Sequence, residues 1–229
     1  MVRSLFDIVF PARCIWCGRL PSPLCDECVD GLPTTGLPVV RAAGIEFRGL
    51  AFGSLDDRLG RLLRAVKDHQ QTGLLKGIGP RLSVAFDGLL AAAGHSAAVL
   101  VAMPASRSGW RSRGFNTAEL IAREVAKHSS FEIQLLPALR YRRLVADQRG
   151  LDTEQRAANL EDAFELTPQA RARIVATRSP VFLVDDVITT GATLLSARDA
   201  MVAGGIHPAG FFVFAETFLK NASQISKWV

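Results

Sequence analysis

Cysteine is confined to one short stretch of this sequence. All four residues, Cys14, Cys17, Cys25 and Cys28, precede residue 29, so the rest of the chain has no thiol for a cross-link or a metal. Long apolar runs are lacking too. The longest, near Leu89–Met103, is broken by Gly94, His95 and Ser96, and a membrane-spanning helix needs about twenty largely apolar residues. Membrane insertion is therefore not expected. The first eleven residues hold one arginine and a short apolar run interrupted by Asp7, with no small-residue cleavage site after it. They do not read as a secretory signal, which predicts a cytoplasmic protein. Histidine is scarce: His69, His95, His128 and His207 are scattered, and no spacing makes any of them a ligand or a base. Internal repeats and low-complexity tracts are absent.

Hydrophobic residues make up 48% of the 229 residues and charged residues 21%, a balance that predicts a well-buried core. The net charge is +5, and arginine clusters at Arg107, Arg111 and Arg113, then at Arg140, Arg142, Arg143 and Arg149. Such a balance suits an anionic partner, but on its own it decides nothing, because a solvated basic face is the commoner explanation. Gly31–Arg41 contains Pro33, Thr34, Thr35, Gly36 and Pro38 and reads as a linker, with a boundary near residue 40. Leu55–Val66 carries a helical stripe at Leu55, Leu59, Leu62, Leu63 and Val66, and Gly77–Leu90 predicts a second helix with proline near its start. Ala97–Met103, Val181–Val184 and Ala209–Phe214 have the apolar character of buried strands. Thr117–His128 and Thr193–Ala203 read as helices. Strands alternating with helices predict an α/β fold with a mostly parallel sheet flanked by helices.

One run concentrates chemistry: Val181-Phe-Leu-Val-Asp185-Asp186-Val-Ile-Thr189-Thr190-Gly191-Ala-Thr193. Four apolar residues put an acidic pair at the carboxyl end of a buried strand, the edge where open parallel sheets bind ligands. Two carboxylates can accept hydrogen bonds from two vicinal ribose hydroxyls. Gly191 permits close approach of the backbone to a phosphate, and Thr189, Thr190 and Thr193 add hydroxyl donors. The following helix directs its unpaired N–H groups at the same anion. A strand, a turn and a threonine cap would account for the glycine and one threonine alone. An acidic pair holding Mg²⁺ in another α/β fold is a further alternative.

The run resembles the phosphoribosyl pyrophosphate (PRPP) signature of phosphoribosyltransferases. The resemblance implies that Asp185 and Asp186 hold the ribose hydroxyls and that Ile188, Thr189, Thr190, Gly191, Ala192 and Thr193 cradle the 5′-phosphate. It also implies Mg²⁺ between pyrophosphate and ribose.

Cys14-Ile-Trp-Cys17 and Cys25-Asp-Glu-Cys28 form two CxxC units seven residues apart. Each can offer two thiolates to one ion, and together they predict a structural Cys₄ zinc site with no open position for catalysis. Two disulfides or a redox dithiol are the rival readings. Metal would fold an N-terminal module (residues 1–40) too small to bury a core unaided, ahead of a domain spanning residues 41–229.

Further segments resemble the ComF (competence protein F) family, whose members are phosphoribosyltransferase-like. The cysteine pairs match its zinc module, and Leu62-Leu-Arg-Ala-Val-Lys67 resembles its helix ending in lysine. Val101-Ala-Met-Pro104-Ala105-Ser106-Arg107 and Arg111-Ser-Arg113-Gly114-Phe115-Asn116 resemble its strand end and Arg-Gly-Phe-Asn signature. Gln148-Arg-Gly-Leu151 and Arg156-Ala-Ala-Asn159-Leu160 resemble two later elements. The resemblance implies a type I phosphoribosyltransferase-like fold. It places pyrophosphate at Lys67 and Pro104–Arg107, and a lid or hood at Arg111, Arg113, Gly114, Phe115, Asn116, Gln148, Arg156 and Asn159. Ala102, Thr117 and Val145 depart from the family's usual Pro, Gln and Thr, which bears on the acceptor pocket. The function expected is Mg²⁺-dependent PRPP binding and phosphoribosyl transfer. The alternative is a non-catalytic accessory protein that binds single-stranded DNA non-specifically alongside DNA-uptake machinery.

Overall fold

The computed structural model describes residues 12–42, 46–142 and 163–217. Its elements in chain order are α1 (Asp26–Asp30), β1 (Leu37–Ala42), β2 (Glu46–Ser54), α2 (Asp57–His69), α3 (Gly73–Ala92) and β3 (Ala97–Ala102). They continue as α4 (Arg107–Arg113), α5 (Thr117–His128), β4 (Glu132–Leu135), β5 (Leu139–Tyr141) and β6 (Phe164–Leu166). The last are α6 (Pro168–Thr177), β7 (Val181–Ile188), α7 (Ala192–Ala203) and β8 (Gly210–Glu216).

Six strands form one sheet in the order β1-β2-β8-β7-β3-β4, all parallel except β1, which runs antiparallel to β2. β5 and β6 make a separate antiparallel pair. Side chains alternate across a strand, and the inner strands feed two cores accordingly. Leu100, Phe182, Val184, Phe212 and Phe214 pack with α2, α3 and α5 on one face. Val99, Val101, Val181, Leu183, Phe211 and Val213 pack with α6, α7 and the small hairpin on the other. Burial on both faces explains why these strands read as unbroken apolar runs rather than as alternating ones.

The α/β expectation holds, with three differences. Leu37–Ala42, read as part of a linker, is an edge strand of the main sheet. Its proline is tolerated because an edge strand has one side free of ladder bonds. α3 begins at Gly73, so Pro80 lies inside it rather than near its start. A proline in a helix interior costs about 3 kcal/mol, and burial of Leu74, Leu75 and Ile78 ahead of it offsets that loss. β7 does not stop at Val184. Its ladder with β8 continues through Asp185↔Val213 to Ile188↔Glu216.

The cysteine segment is not independent of this body. Leu24 and Leu32 are buried in the core beneath α2 and α3. The Arg58 guanidinium donates to the Cys28 and Gly31 carbonyls at 2.7 and 3.2 Å and lies 4.9 Å over the Trp16 ring. The Trp16 indole N–H in turn donates to the Arg58 carbonyl at 2.9 Å. No helix among the described residues is long and apolar enough to cross a membrane.

Candidate functional site

The sheet order contains a point where consecutive connections leave in opposite directions. From β3 the chain passes through α5 to β4 on one side, and from β7 through α7 to β8 on the other. The carboxyl ends of β3 and β7 therefore diverge, and a crevice opens between the segments that follow them. A cavity of about 550 Å³ lies there, lined by Met103–Ser106 after β3 and Asp185–Leu194 of β7 and α7. Lys67 and Asp68 from the end of α2, Ser108, Gly109 and Arg113 from α4, Asn116, Thr117 and Tyr141 complete the wall.

The acidic pair enters this cavity because β3 ends early. β3 pairs with β7 only as far as Ala102↔Val184, after which the Met103 N–H donates to the Val184 carbonyl at 2.8 Å. Beyond that bond one edge of β7 is bare, while β8 still holds the other. Rigid sheet geometry thus presents both carboxyls. The Lys67 ammonium sits 2.7 Å from Asp186 Oδ2, with both side chains largely buried. Asp185 Oδ1 accepts from the Asp186 backbone N–H at 2.8 Å. Burial, reinforced by the neighbouring Asp186 charge, pushes the Asp185 carboxyl up to about 7, against a small opposing pull from Lys67 and that backbone N–H.

The phosphate-type half of the site is the amino end of α7. Gly191 holds φ at +84°, a left-handed conformation that side chains disfavour. It turns the chain from Thr189-Thr190 into the helix, and as a glycine at the N-cap it offers the helix N–H groups no side chain. Thr190 Oγ1 accepts from the Ala192 N–H at 3.3 Å. Open N–H groups and the positive end of the helix dipole therefore face the cavity beside the carboxylates.

α4 separates this cavity from a second one, and helical periodicity decides which residue faces which. Ser106, the N-cap, with Gly109 and Arg113 lies on the first cavity. Arg107, Trp110 and Arg111, three and four residues apart, lie on the second. Arg107 is exposed and does not line the cavity of the acidic pair, although the family resemblance assigns it to pyrophosphate. Arg113 does line it, and its buried Nε has no hydrogen-bond partner among the described residues. The Thr117 hydroxyl, on the same wall, is likewise buried and unpartnered among those residues. A Cβ at Gly109 would fall 2.5 Å from the Arg113 guanidinium, so glycine is what lets that side chain lie across α4.

The residues expected to form a flexible lid are placed differently from one another. Arg111 and Arg113 belong to α4, and Gly114 ends that helix at φ +74°. Phe115 packs against the main core. Asn116 is a brace: its side-chain NH₂ donates to the Met103 carbonyl at 2.8 Å, and its Oδ1 accepts from the Ala118 N–H at 3.1 Å, capping α5. A side chain committed at both ends ties the loop after β3 to α5. Of the second arginine cluster, Arg140 pairs with Glu165 across the hairpin at 2.5 Å, away from the cavity. Gln148, Arg149, Arg156 and Asn159 lie outside the described residues. Neither comparison identifies a relative. The chain matches no family model and no curated protein.

Tyr141 is a wall residue that no motif indicated. It is the sole tyrosine, half-buried against Phe164 with ring centroids 4.9 Å apart. Burial first, and then the Asp185 charge, pushes its hydroxyl up to about 12, so it stays a neutral hydrogen-bond donor. Its sequence neighbours Arg140 and Arg142 drew attention instead. Only the fold of the β5–β6 hairpin turns residue 141 inward.

The raised Asp185 value carries a stability consequence. Its ordinary value is 3.8 and its folded value about 7. Between these limits the folded state binds more protons than the unfolded one, so stability falls as pH rises through that window. Asp185→Asn removes the titrating group. The variant should melt above the parent at pH 8, and the difference should shrink toward pH 4, as followed by circular dichroism. A pH-independent difference would show that Asp185 titrates normally.

In the N-terminal segment, the four cysteine sulfurs lie within 4.8 Å of one another. Tetrahedral Zn–S bonds of about 2.3 Å require sulfurs roughly 3.8 Å apart, and Cys17 and Cys25 stand at 3.6 Å. Burial acts upward on the Cys14 thiol, but the Cys17, Cys25 and Trp16 backbone N–H groups outweigh it and hold the value down at about 6. Burial and the neighbouring thiols push Cys28 up to about 12. The four cysteines can thus hold a metal ion such as zinc, with N–H groups already directed at one sulfur.

Proposed function

We propose that this chain is a phosphoribosyltransferase-like protein of the ComF family, with a type I phosphoribosyltransferase-like fold, which binds PRPP together with Mg²⁺ and transfers its phosphoribosyl group. One observation carries the reading. Paired carboxylates on a strand edge and the amino end of a helix open onto the same cavity, at the switch point of a parallel sheet. Carboxylates that accept from two sugar hydroxyls and amides that donate to a phosphate are the two halves of a ribose 5-phosphate site. The motif order from Cys14 to Gly205 supports the family; the parallel sheet supports the fold.

In this reading Asp185 and Asp186 accept from the ribose 2′ and 3′ hydroxyls, and Ile188–Thr193 enclose the 5′-phosphate. Mg²⁺ fits the donor set, since the acidic pair offers hard oxygen ligands facing a polyphosphate. When bound it supplies charge neutralisation for the leaving pyrophosphate. Lys67 orients the Asp186 carboxylate through their 2.7 Å ion pair. The Arg113 Nε and the Thr117 hydroxyl, buried on the wall and without partners among the described residues, supply the donors for the pyrophosphate that the loop after β3 would otherwise have to provide. The Cys₄ cluster holds structural zinc.

Arg113→Ala should therefore weaken pyrophosphate binding by roughly tenfold or more, as expected for a lost charge-assisted hydrogen bond. Arg107→Ala should change it less than about twofold. Calorimetry with pyrophosphate and Mg²⁺ checks both. The opposite ranking would return pyrophosphate to the loop arginine. The reading as a whole is tested by titrating the parent protein with PRPP in the presence and absence of Mg²⁺.

A further inference from the structure

The second cavity, of about 540 Å³, shares the wall at Pro104, Ala105 and Asn116 with the first but has a different character. Its floor is apolar, made by Leu135, Leu136 and Leu139 at the end of β4 and the start of β5. One wall is the face of α4 that carries Arg107, Trp110 and Arg111. Trp110 is 53% exposed, the largest apolar side chain left open among the described residues. The opposite wall is α5, where Glu119 is already neutralised by Arg123 at 2.6 Å. Arg107 and Arg111 have no ionic or hydrogen-bonding partner among the described residues. The cavity therefore combines an apolar floor, a free indole face and two uncompensated guanidinium groups.

We propose that this cavity is a binding site for a small planar aromatic acid. An aromatic ring would bury its faces against the leucines and Trp110, where ring–ring contacts add to area burial. The carboxylate would take the fork geometry of Arg107 or Arg111 at the rim, which suits guanidinium better than ammonium. The volume falls in the range that holds a ligand of drug size. A single-stranded nucleic acid also stacks on tryptophan beside arginine. It needs a basic groove that tracks its backbone, however, and this cavity is a short, open pocket bounded by α4, α5 and the Leu135–Leu139 segment.

The probe is 2-naphthoate, titrated calorimetrically into the full chain. For a ligand of its size the expected Kd is on the order of 100 µM. Trp110→Ala, and separately the double variant Arg107→Ala/Arg111→Ala, should each weaken binding by roughly tenfold or more. All three side chains are exposed at least in part, so the melting temperature should stay at the parent value. The neutral analogue 2-naphthalenemethanol should bind roughly tenfold more weakly than the acid. Failure of the parent to bind 2-naphthoate well above 1 mM overturns the proposal. Equal binding in the variants overturns it too, as does equal binding of the neutral analogue. An oligothymidylate that binds the parent and is lost in these variants, where 2-naphthoate does not bind, would assign the surface to nucleic acid instead.

Discussion

Replacing Asp185 and Asp186 together by Asn should lower PRPP affinity by on the order of 100-fold while leaving the protein folded. Each asparagine keeps shape and can still accept a hydrogen bond, so the change isolates charge. Hydrogen bonds to charged groups contribute about 1.5–3 kcal/mol each, and two of them give that factor or more. Folding should survive because the native pair is electrostatically strained, with burial and Asp186 together pushing Asp185 up to about 7. Lys67 loses its 2.7 Å partner in the double variant, but its ammonium lies at the open end of α2, within reach of water in the cavity. Calorimetry with PRPP and Mg²⁺ reads the affinity, and circular dichroism reads the fold. Unchanged affinity would remove these aspartates from the ribose site. A parent protein that binds no PRPP would remove the site itself, and the accessory reading with single-stranded DNA would take its place.

Loss of metal from the cysteine cluster should have the largest effect on stability. Elemental analysis of the parent, purified without added metal, is expected to find close to one zinc per chain. In Cys28→Ser, zinc should be absent, and the segment from Arg13 to Leu32 should detach. Detachment exposes Leu24 and Leu32, worth about 1.5–3 kcal/mol each, and breaks the bonds from Arg58 to the Cys28 and Gly31 carbonyls. For a chain of this length about 1 kcal/mol shifts Tm by roughly 2–4 °C, so a fall of about 10 °C or more is expected by calorimetric melting. A metal-free variant with the parent's Tm would show that the segment holds itself together by packing alone.

The elements that were legible in the sequence are those whose signal is local. The α5 boundaries, Thr117 to His128, are marked by the Asn116 cap at one end and a basic last turn at the other. β3 and β8 read correctly because five or six apolar residues bounded by breakers leave few alternatives. β2 and β4 were not picked out. β4 alternates half-buried and exposed positions over only four residues, and β2 is interrupted by Gly49, which admits the close approach of Phe211 on β8, and by Gly53, which makes room for Leu59 of α2. The extension of β7 past Val184 was hidden for a related reason: a strand with charged residues is sustained by its neighbour's ladder, which no local pattern encodes.

For the site, the sequence by itself determined the chemistry: two carboxylates, a turn that requires glycine, threonine hydroxyls, and four thiols in two CxxC units. Those depend on residue type and spacing within one short segment, where covalent connection already enforces proximity. Which distant residues join them was decided only by the tertiary structure. Lys67 reaches Asp186 because α2 ends above the sheet's carboxyl edge. Tyr141 turns inward because β5 pairs with β6. Arg113, and not Arg107, lines the cavity of the acidic pair because α4 turns through 100° per residue, which sends neighbouring arginines to opposite sides of one short helix.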